Sequence, residues 1–218
     1  FGHAHSYSTM ITANNNAAFN AISRQSLRKL MLEKRRSVLI EQPLVLEKLS
    51  MHLLRWLGER DVSRLGFYRP IRSEPDLTGP LIKWKDSEPG RCLCVPVIDD
   101  CRTKTMHYAL WSSDAVRIGS YGIEEPIEDY SVEPEVILVP CVGVTREGYR
   151  LGNGGGYFDR WLAERNPVTV AVAYEALVTE DFAPEEFDIP LDWILTESGI
   201  RRAGTKTDRS PKDAVRLL

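Results

Sequence analysis

Residues 135–162 read EVILVPCVGVTREGYRLGNGGGYFDRWL, an order of residue types that predicts strand, turn, glycine loop and helix. Val136 to Pro140 is apolar at every position, which a strand tolerates only when both faces are covered, so it is expected at the centre of a largely parallel sheet. A polar turn follows through Thr145 to Gly148. Gly152, Gly154, Gly155 and Gly156 then form a loop that can take positive φ and bring backbone amides close to a ligand. The helix beyond it carries Tyr157, Asp159 and Trp161. Amides converging ahead of a helix make an anion site, most often for phosphate, and Arg150 adds a planar cation suited to bidentate phosphate contact. A tight strand-to-helix connection would use the same glycines, so the loop alone leaves both readings open. It is neither a Walker loop, which ends in Gly-Lys-Ser/Thr, nor the GxGxxG dinucleotide fingerprint.

Working outward, β-type runs occur at Ser63 to Tyr68, Arg91 to Val97, Met106 to Trp111, Val168 to Tyr174 and Trp193 to Thr196. Helical patterns fit Pro75 to Lys85, Gly156 to Arg165 and Thr179 to Phe187 between them. Two helices precede the first strand. From Ser23, Leu27, Leu30, Met31 and Val38 mark one face, and Arg24, Arg28, Lys29, Lys34, Arg35 and Arg36 the rest, with residues 34–36 expected as a solvated basic face. From Pro43 to Gly58, Leu46, Leu49, Leu53, Trp56 and Leu57 repeat at helical spacing. The alternation predicts a three-layer α/β domain, a largely parallel sheet with helices on both faces, over residues 23–205. Residues 1–22, without Lys, Arg, Asp or Glu, and residues 206–218 are expected as tails, where His3 and His5 read as an artefact rather than a copper or nickel site.

The chain of 218 residues is long enough to bury a core without a disulfide or metal staple. Lys and Arg number 28 against 31 Asp and Glu, a net charge of −3 that gives no general attraction for nucleic acid. No apolar run approaches the roughly 20 residues of a membrane-spanning helix, so no membrane partner is expected. Cys92, Cys94, Cys101 and Cys141 lack paired zinc spacing and read as buried, reduced thiols, as in the cytoplasm. His52 and His107 have no nucleophile motif nearby, and Glu124, Glu125, Glu128 and Asp129 fit a solvated turn.

RLGNGGGYFDRWL resembles the signature of the 5-formyltetrahydrofolate cyclo-ligase, or methenyltetrahydrofolate synthetase, family: a basic residue, Leu-Gly, a glycine loop and an aromatic-aromatic-Asp. Four further blocks resemble the family in order, from Ser23 to Glu197. These are SRQSLRKLMLEKRR as the opening helix, YRPIRSEPDL around a substrate-binding glutamate, YGIEEP as a short turn and FDIPLDWILTE as the closing strand.

The resemblance implies a Rossmann-like fold shared with sugar-phosphate isomerase and coenzyme A transferase relatives. It also implies ATP-dependent, Mg2+-requiring cyclisation of 5-formyltetrahydrofolate to 5,10-methenyltetrahydrofolate through phosphorylation of the formyl oxygen. Separately from the resemblance, a monomer is expected, with an oligomer left open. By the same resemblance, ATP falls to Arg24, Arg28, Arg150, Gly152, Asn153, Gly154, Gly155, Gly156, Tyr157 and Phe158, with Arg150 and Tyr157 at the catalytic centre. The folate falls to Glu74, Tyr121, Asn153, Gly155 and Tyr157, and Mg2+ to Asp159 and Asp188, with Asp192 an alternative to Asp188. Arg24 stands where members often have Lys, Tyr121 where many have Trp, Phe158 where a second Tyr is commoner, and Asn153 where members vary. These departures motivate one rival, a paralogue that binds nucleotide and folate without turnover. A second rival is a sugar-phosphate isomerase or acyl transferase on a related fold.

Overall fold

The computed structural model describes residues 22–204. Along them the chain runs α1 (Arg24–Glu41), α2 (Val45–Gly58), β1 (Arg64–Gly66), α3 (Thr78–Asp86), β2 (Cys92–Asp100), β3 (Thr105–Trp111), β4 (Val116–Ile118) and β5 (Glu124–Pro126). It continues through β6 (Val136–Pro140), β7 (Gly143–Val144), β8 (Arg150–Leu151), α4 (Tyr157–Ala163), β9 (Val168–Val172), β10 (Trp193–Thr196) and β11 (Gly199–Arg202). The expected tails lie outside the described residues except for Ile22.

Seven strands form one sheet in the order β11-β10-β9-β6-β1-β2-β3. The five inner strands run parallel, and β3 and β11 add antiparallel edges. β6, the fourth of the seven, and its neighbour β9 are buried at every residue. That is where a strand apolar on both faces belongs.

Registered neighbours show helices on both faces. Gly66 pairs with Ile137, and a Cβ at Gly66 would meet the Tyr108 ring at 2.7 Å and Ile137 Cγ2 at 2.8 Å. Only glycine admits Tyr108 there, and the Tyr108 ring packs edge-on at 5.0 Å against Trp161 of α4. The next residue in each strand faces the other way. Leu138 is registered with Val170 and Val170 with Trp193, whose ring meets Trp56 of α2 at 5.4 Å. α4 therefore covers one face and α2 the other, where α2 also contacts α3.

The connections from the centre of the sheet part company. β1 leads through α3 to β2 on one side, whereas β6, beside β1, leads through β7, β8 and α4 to β9 on the other. In an open α/β sheet such a reversal leaves a crevice at the carboxyl ends of the diverging strands, because neither connection covers it.

Several local expectations are corrected. Residues 179–187 form no helix: Thr179 Oγ1 donates to Asp181, the Asp181 N–H returns to Thr179 Oγ1, and the Glu185 N–H donates to Asp188 Oδ2. Such local side-chain bonds compete with helical ones, and Pro184 removes a donor. Leu30 is exposed, whereas Arg35, expected on the solvated face, has no solvent exposure at all. Cys94 and Cys141 are buried thiols, but Cys101 is exposed and Cys92 half-buried. Among the described residues no helix is long and apolar enough to cross a membrane.

His107 and the acidic turn meet unexpectedly. On β3, its Nδ1 bonds to Asp99 Oδ1 at 2.6 Å and its Nε2 to Asp129 Oδ1, tying the β2–β3 hairpin to the following loop. Partial burial opposes the imidazolium charge, yet the bonds and charges of Asp129 and Asp99 outweigh it and raise the pKa above the ordinary 6.5. The folded state therefore holds this proton more tightly than the unfolded chain, a stabilisation complete below about pH 6.5 and lost as pH rises through the raised folded value. His107→Gln should thus lower the melting temperature more at pH 6 than at pH 9; equal losses at both would refute the linkage.

Candidate active site

A cavity of about 800 Å³ occupies the crevice between β1 and β6. Apart from the alternative Asp192, all the residues that the family resemblance assigns to ATP, folate or metal line it, from Arg24 on α1 to Asp188 near the closing strand. Tyr68 and Arg69 enter from the end of β1, Pro96 and Ile98 from β2, and Pro140 from the end of β6.

α1 starts cleanly because Ser23 accepts the Ser26 N–H at 3.1 Å, and its first two turns point Arg24 and Arg28 into the cavity. Their guanidinium groups have different partners. Arg28 Nε donates to the Gly152 carbonyl at 2.9 Å, and Arg24 reaches Asp188 Oδ2 at 2.6 Å and Glu185 Oε2 at 2.9 Å. Burial opposes the Arg24 charge, but the bond and charge of Asp188, with Glu185, outweigh it and raise the pKa.

β8 delivers Arg150, only 7% exposed, to the floor of the site. Its Nη2 donates to Asp159 Oδ2 at 2.9 Å, its guanidinium lies 5.0 Å from the Phe158 ring centroid, and its buried Nε has no protein partner. The loop that follows turns by left-handed backbone at Gly154 (φ 97°) and Gly156 (φ 68°). Gly152 and Gly155 do not share that conformation and serve by close approach: a Cβ would lie 2.5 Å from Arg150 Nη1 at Gly152 and 2.7 Å from the Tyr157 ring at Gly155.

Glu74 stands on the opposite wall and is 6% exposed. Its Oε2 accepts the Ile71 N–H at 3.0 Å and its Oε1 accepts from Asn153 Nδ2 at 3.3 Å, so the variable loop position touches the carboxylate. Burial raises the Glu74 pKa, opposed by the Ile71 amide and then by Arg35, Asn153 and Arg72. At the mouth, Tyr121 is 63% exposed and its hydroxyl lies 2.9 Å from that of Tyr157, with the rings edge-on at 6.3 Å. Desolvation and the bond to Tyr121 raise the Tyr157 pKa, so its hydroxyl keeps its proton near neutral pH.

Asp159 and Asp188 line the cavity, each held by an arginine. Asp192 instead accepts from the Thr169 N–H and hydroxyl, at 2.9 and 2.7 Å, and fastens β10 to β9. Among the described residues no group of three or more His, Cys, Asp or Glu is assembled to hold a metal. The donor chemistry fits an ion that takes one or two carboxylates and completes its shell with phosphate oxygens, as Mg2+ does.

Sequence reasoning missed Tyr68, Arg69, Arg72 and Glu185, which also line the cavity, and Arg35 behind it. A signal existed for Arg35, since residues 27, 31, 35 and 38 form one buried stripe of α1. An arginine on an apolar stripe is either misplaced or specifically bonded.

Comparison with known proteins places these features in a group. The model of the 5-formyltetrahydrofolate cyclo-ligase family matches residues 20–197. A 5-formyltetrahydrofolate cyclo-ligase from Mycoplasma pneumoniae is 26% identical over 81% of this chain and 99% of its own length. One from Mycolicibacterium smegmatis is 27% identical over 80% and 93%. The solved structure of Aquifex aeolicus 5,10-methenyltetrahydrofolate synthetase superposes with a TM-score of 0.71 at 30% identity, covering 86% of this chain and 95% of that one.

The left-handed turn at Gly156 provides a direct check on the loop. Gly156→Ala would force an L residue to φ 68° and place its Cβ 2.5 Å from Arg160 Nη1. It should cost about 1–2 kcal/mol of stability in urea unfolding; an unchanged midpoint would show that the loop does not need this conformation.

Proposed function

The chain belongs to the 5-formyltetrahydrofolate cyclo-ligase family, and we propose that it converts 5-formyltetrahydrofolate to 5,10-methenyltetrahydrofolate with ATP, releasing ADP and phosphate. The observation that carries this reading is that the residues assigned to both substrates, far apart in sequence, line one cavity.

The formyl oxygen of the folate attacks the terminal phosphoryl group, forming an O–P bond as the bond to ADP breaks. The formyl carbon then carries a good leaving group. The second folate nitrogen attacks that carbon, loses its proton, and phosphate departs as the five-membered ring closes. Both reacting atoms belong to substrates, so the protein's work is to position them and neutralise charge.

In this reading Arg150 meets the triphosphate, its unpartnered Nε and low exposure making it a strongly biased anion donor. Arg24 and Arg28 join it from α1, with the amides of residues 152–158 around the phosphates. Tyr157 stands beside the reacting groups as a neutral hydroxyl. Glu74 accepts two parallel N–H bonds from the pterin, and Tyr121 covers the flat ring from the mouth, a smaller contact than a Trp would make. Asp159 and Asp188 would hold Mg2+, which when bound neutralises charge on the phosphates. Until nucleotide arrives, these carboxylates occupy the arginines that phosphate would take. We assign the catalytic domain to residues 23–205, of which 23–204 are described, and place it in the cytoplasm.

The direct test is the absorbance of methenyltetrahydrofolate in mixtures from which protein, 5-formyltetrahydrofolate, ATP or Mg2+ is omitted in turn. A rise needing every component supports the reading. Binding of both substrates without a rise would instead identify a non-catalytic paralogue, and binding of neither would discard the function. Arg150→Ala should lower kcat/KM for ATP about 10- to 100-fold, the loss of a charged hydrogen bond. Because the pterin bonds need an ionised Glu74, folate affinity should fall with falling pH through a value above the usual carboxylate range. Glu74→Gln should bind folate more weakly and without that pH dependence; a mutant that lost ATP affinity alone would reverse the placement of the two substrates.

A further inference from the structure

Glu74 sits at the end of a turn that its own residues disfavour. Arg72 and Ser73, just before it, both hold positive φ, 48° and 66°, a region that L side chains adopt at a steric cost. The turn is held from outside. Arg35 Nε donates to the Arg72 carbonyl at 3.0 Å, Nη2 donates to the same oxygen, and Nη1 donates to the Cys141 carbonyl at 3.3 Å. The same Nη1 lies 3.9 Å from Glu74 Oε1. One guanidinium on α1 therefore ties the turn after β1 to the residue just beyond β6, across the crevice that holds the cavity.

This arrangement is an expensive way to hold a helix. Arg35 has no solvent exposure, and removing a guanidinium from water costs more than an apolar residue at the same stripe position would. Its bonds go to two carbonyls and its charge to Glu74. Apart from Arg72, the titratable groups near this pair, Tyr68 and Cys141 beside Glu74 and Tyr174 beside Arg35, are uncharged near neutral pH. Burial pushes Cys141 and Tyr174 up to about 12, and Tyr68 well above its ordinary value. Arg72, on the turn itself, is exposed, so its charge is screened more than that of Arg35.

We propose that Arg35 is a positioning residue for the folate: it locks the 71–74 turn and aims the Glu74 carboxylate so that both oxygens meet the pterin N–H groups. It touches no reacting atom and acts through Glu74, so the inference rests on the folate placement proposed above.

The test uses the full chain with Arg35→Lys, Arg35→Met, Glu74→Gln and the double variant Arg35→Lys/Glu74→Gln. Steady-state KM for 5-formyltetrahydrofolate and for ATP is measured, with calorimetric binding of 5-formyltetrahydrofolate and of a non-hydrolysable ATP analogue. Lysine keeps the charge but loses the fork, so Arg35→Lys should raise folate KM and Kd about tenfold while ATP affinity stays within about twofold. Intact analogue binding certifies the fold, and Arg35→Lys carries the test if Arg35→Met does not fold. On the Glu74→Gln background, Arg35→Lys should add little further loss, since both act on one contact. A lower melting temperature with unchanged folate affinity would leave Arg35 a merely structural residue and overturn the proposal, as would a loss that adds in full to that of Glu74→Gln. If Glu74→Gln alone binds folate normally, the folate placement itself is wrong and the positioning role falls with it.

Discussion

β1 and β6 lie side by side and parallel, but their connections leave in opposite directions on opposite faces of the sheet. Much of the molecule follows from that reversal. Backbone at the carboxyl ends of these strands is left uncovered by either crossover, so the segments after them must satisfy their polar groups in another way. After β1 the chain enters the turn to Glu74. After β6 it enters the small β7–β8 hairpin and the glycine loop. The cavity is the space these two excursions enclose, closed from a third side by the first turns of α1.

Arginine is the material of that enclosure. Arg24, Arg28, Arg69 and Arg150 are each bonded to a carboxylate or carbonyl from a different segment, and Arg35 binds two carbonyls at once. Such bonds cross long sequence separations, 124 residues between Arg28 and Gly152 and 164 between Arg24 and Asp188. They join the walls of the cavity to one another, and the partly buried charges interact more strongly there than in bulk water. The family departures gain a physical reading in the same frame. Phe158 lies under the Arg150 guanidinium, a contact that a ring makes without a hydroxyl, and Asn153 donates to Glu74.

The parts of this design that were legible in the sequence are those with a local signal. Val136 to Pro140 reads as a central strand because every residue is apolar, and the amphipathic repeats of residues 24–58 read as helices because their period is near 3.6. The glycine loop and its flanking Arg150 and Asp159 are legible because they are contiguous. What escaped had no local signal or a misleading one. β11 is four residues with two arginines, stable only as the edge partner of β10. Residues 179–187 have helical composition, but hydrogen bonds by Thr179 and Asp188 override it. Asp129 reads as a solvated carboxylate until β3 brings His107 to it.

By itself, then, the sequence determined the layered α/β architecture and the buried centre of its sheet, and through its resemblance to a family it nominated the residues proposed for the substrates and metal. Periodicity and short motifs are properties of neighbours along the chain, and those survive without coordinates. Tertiary structure alone decided where these residues meet and which of them are bonded to one another. Arg35 shows the difference most sharply: its residue type places it among solvated cations, whereas its position between the Arg72 and Cys141 carbonyls makes it a buried tie. Spacing along α1 sets Arg35 on the buried stripe, but which carbonyl oxygens meet it there depends on packing between distant segments.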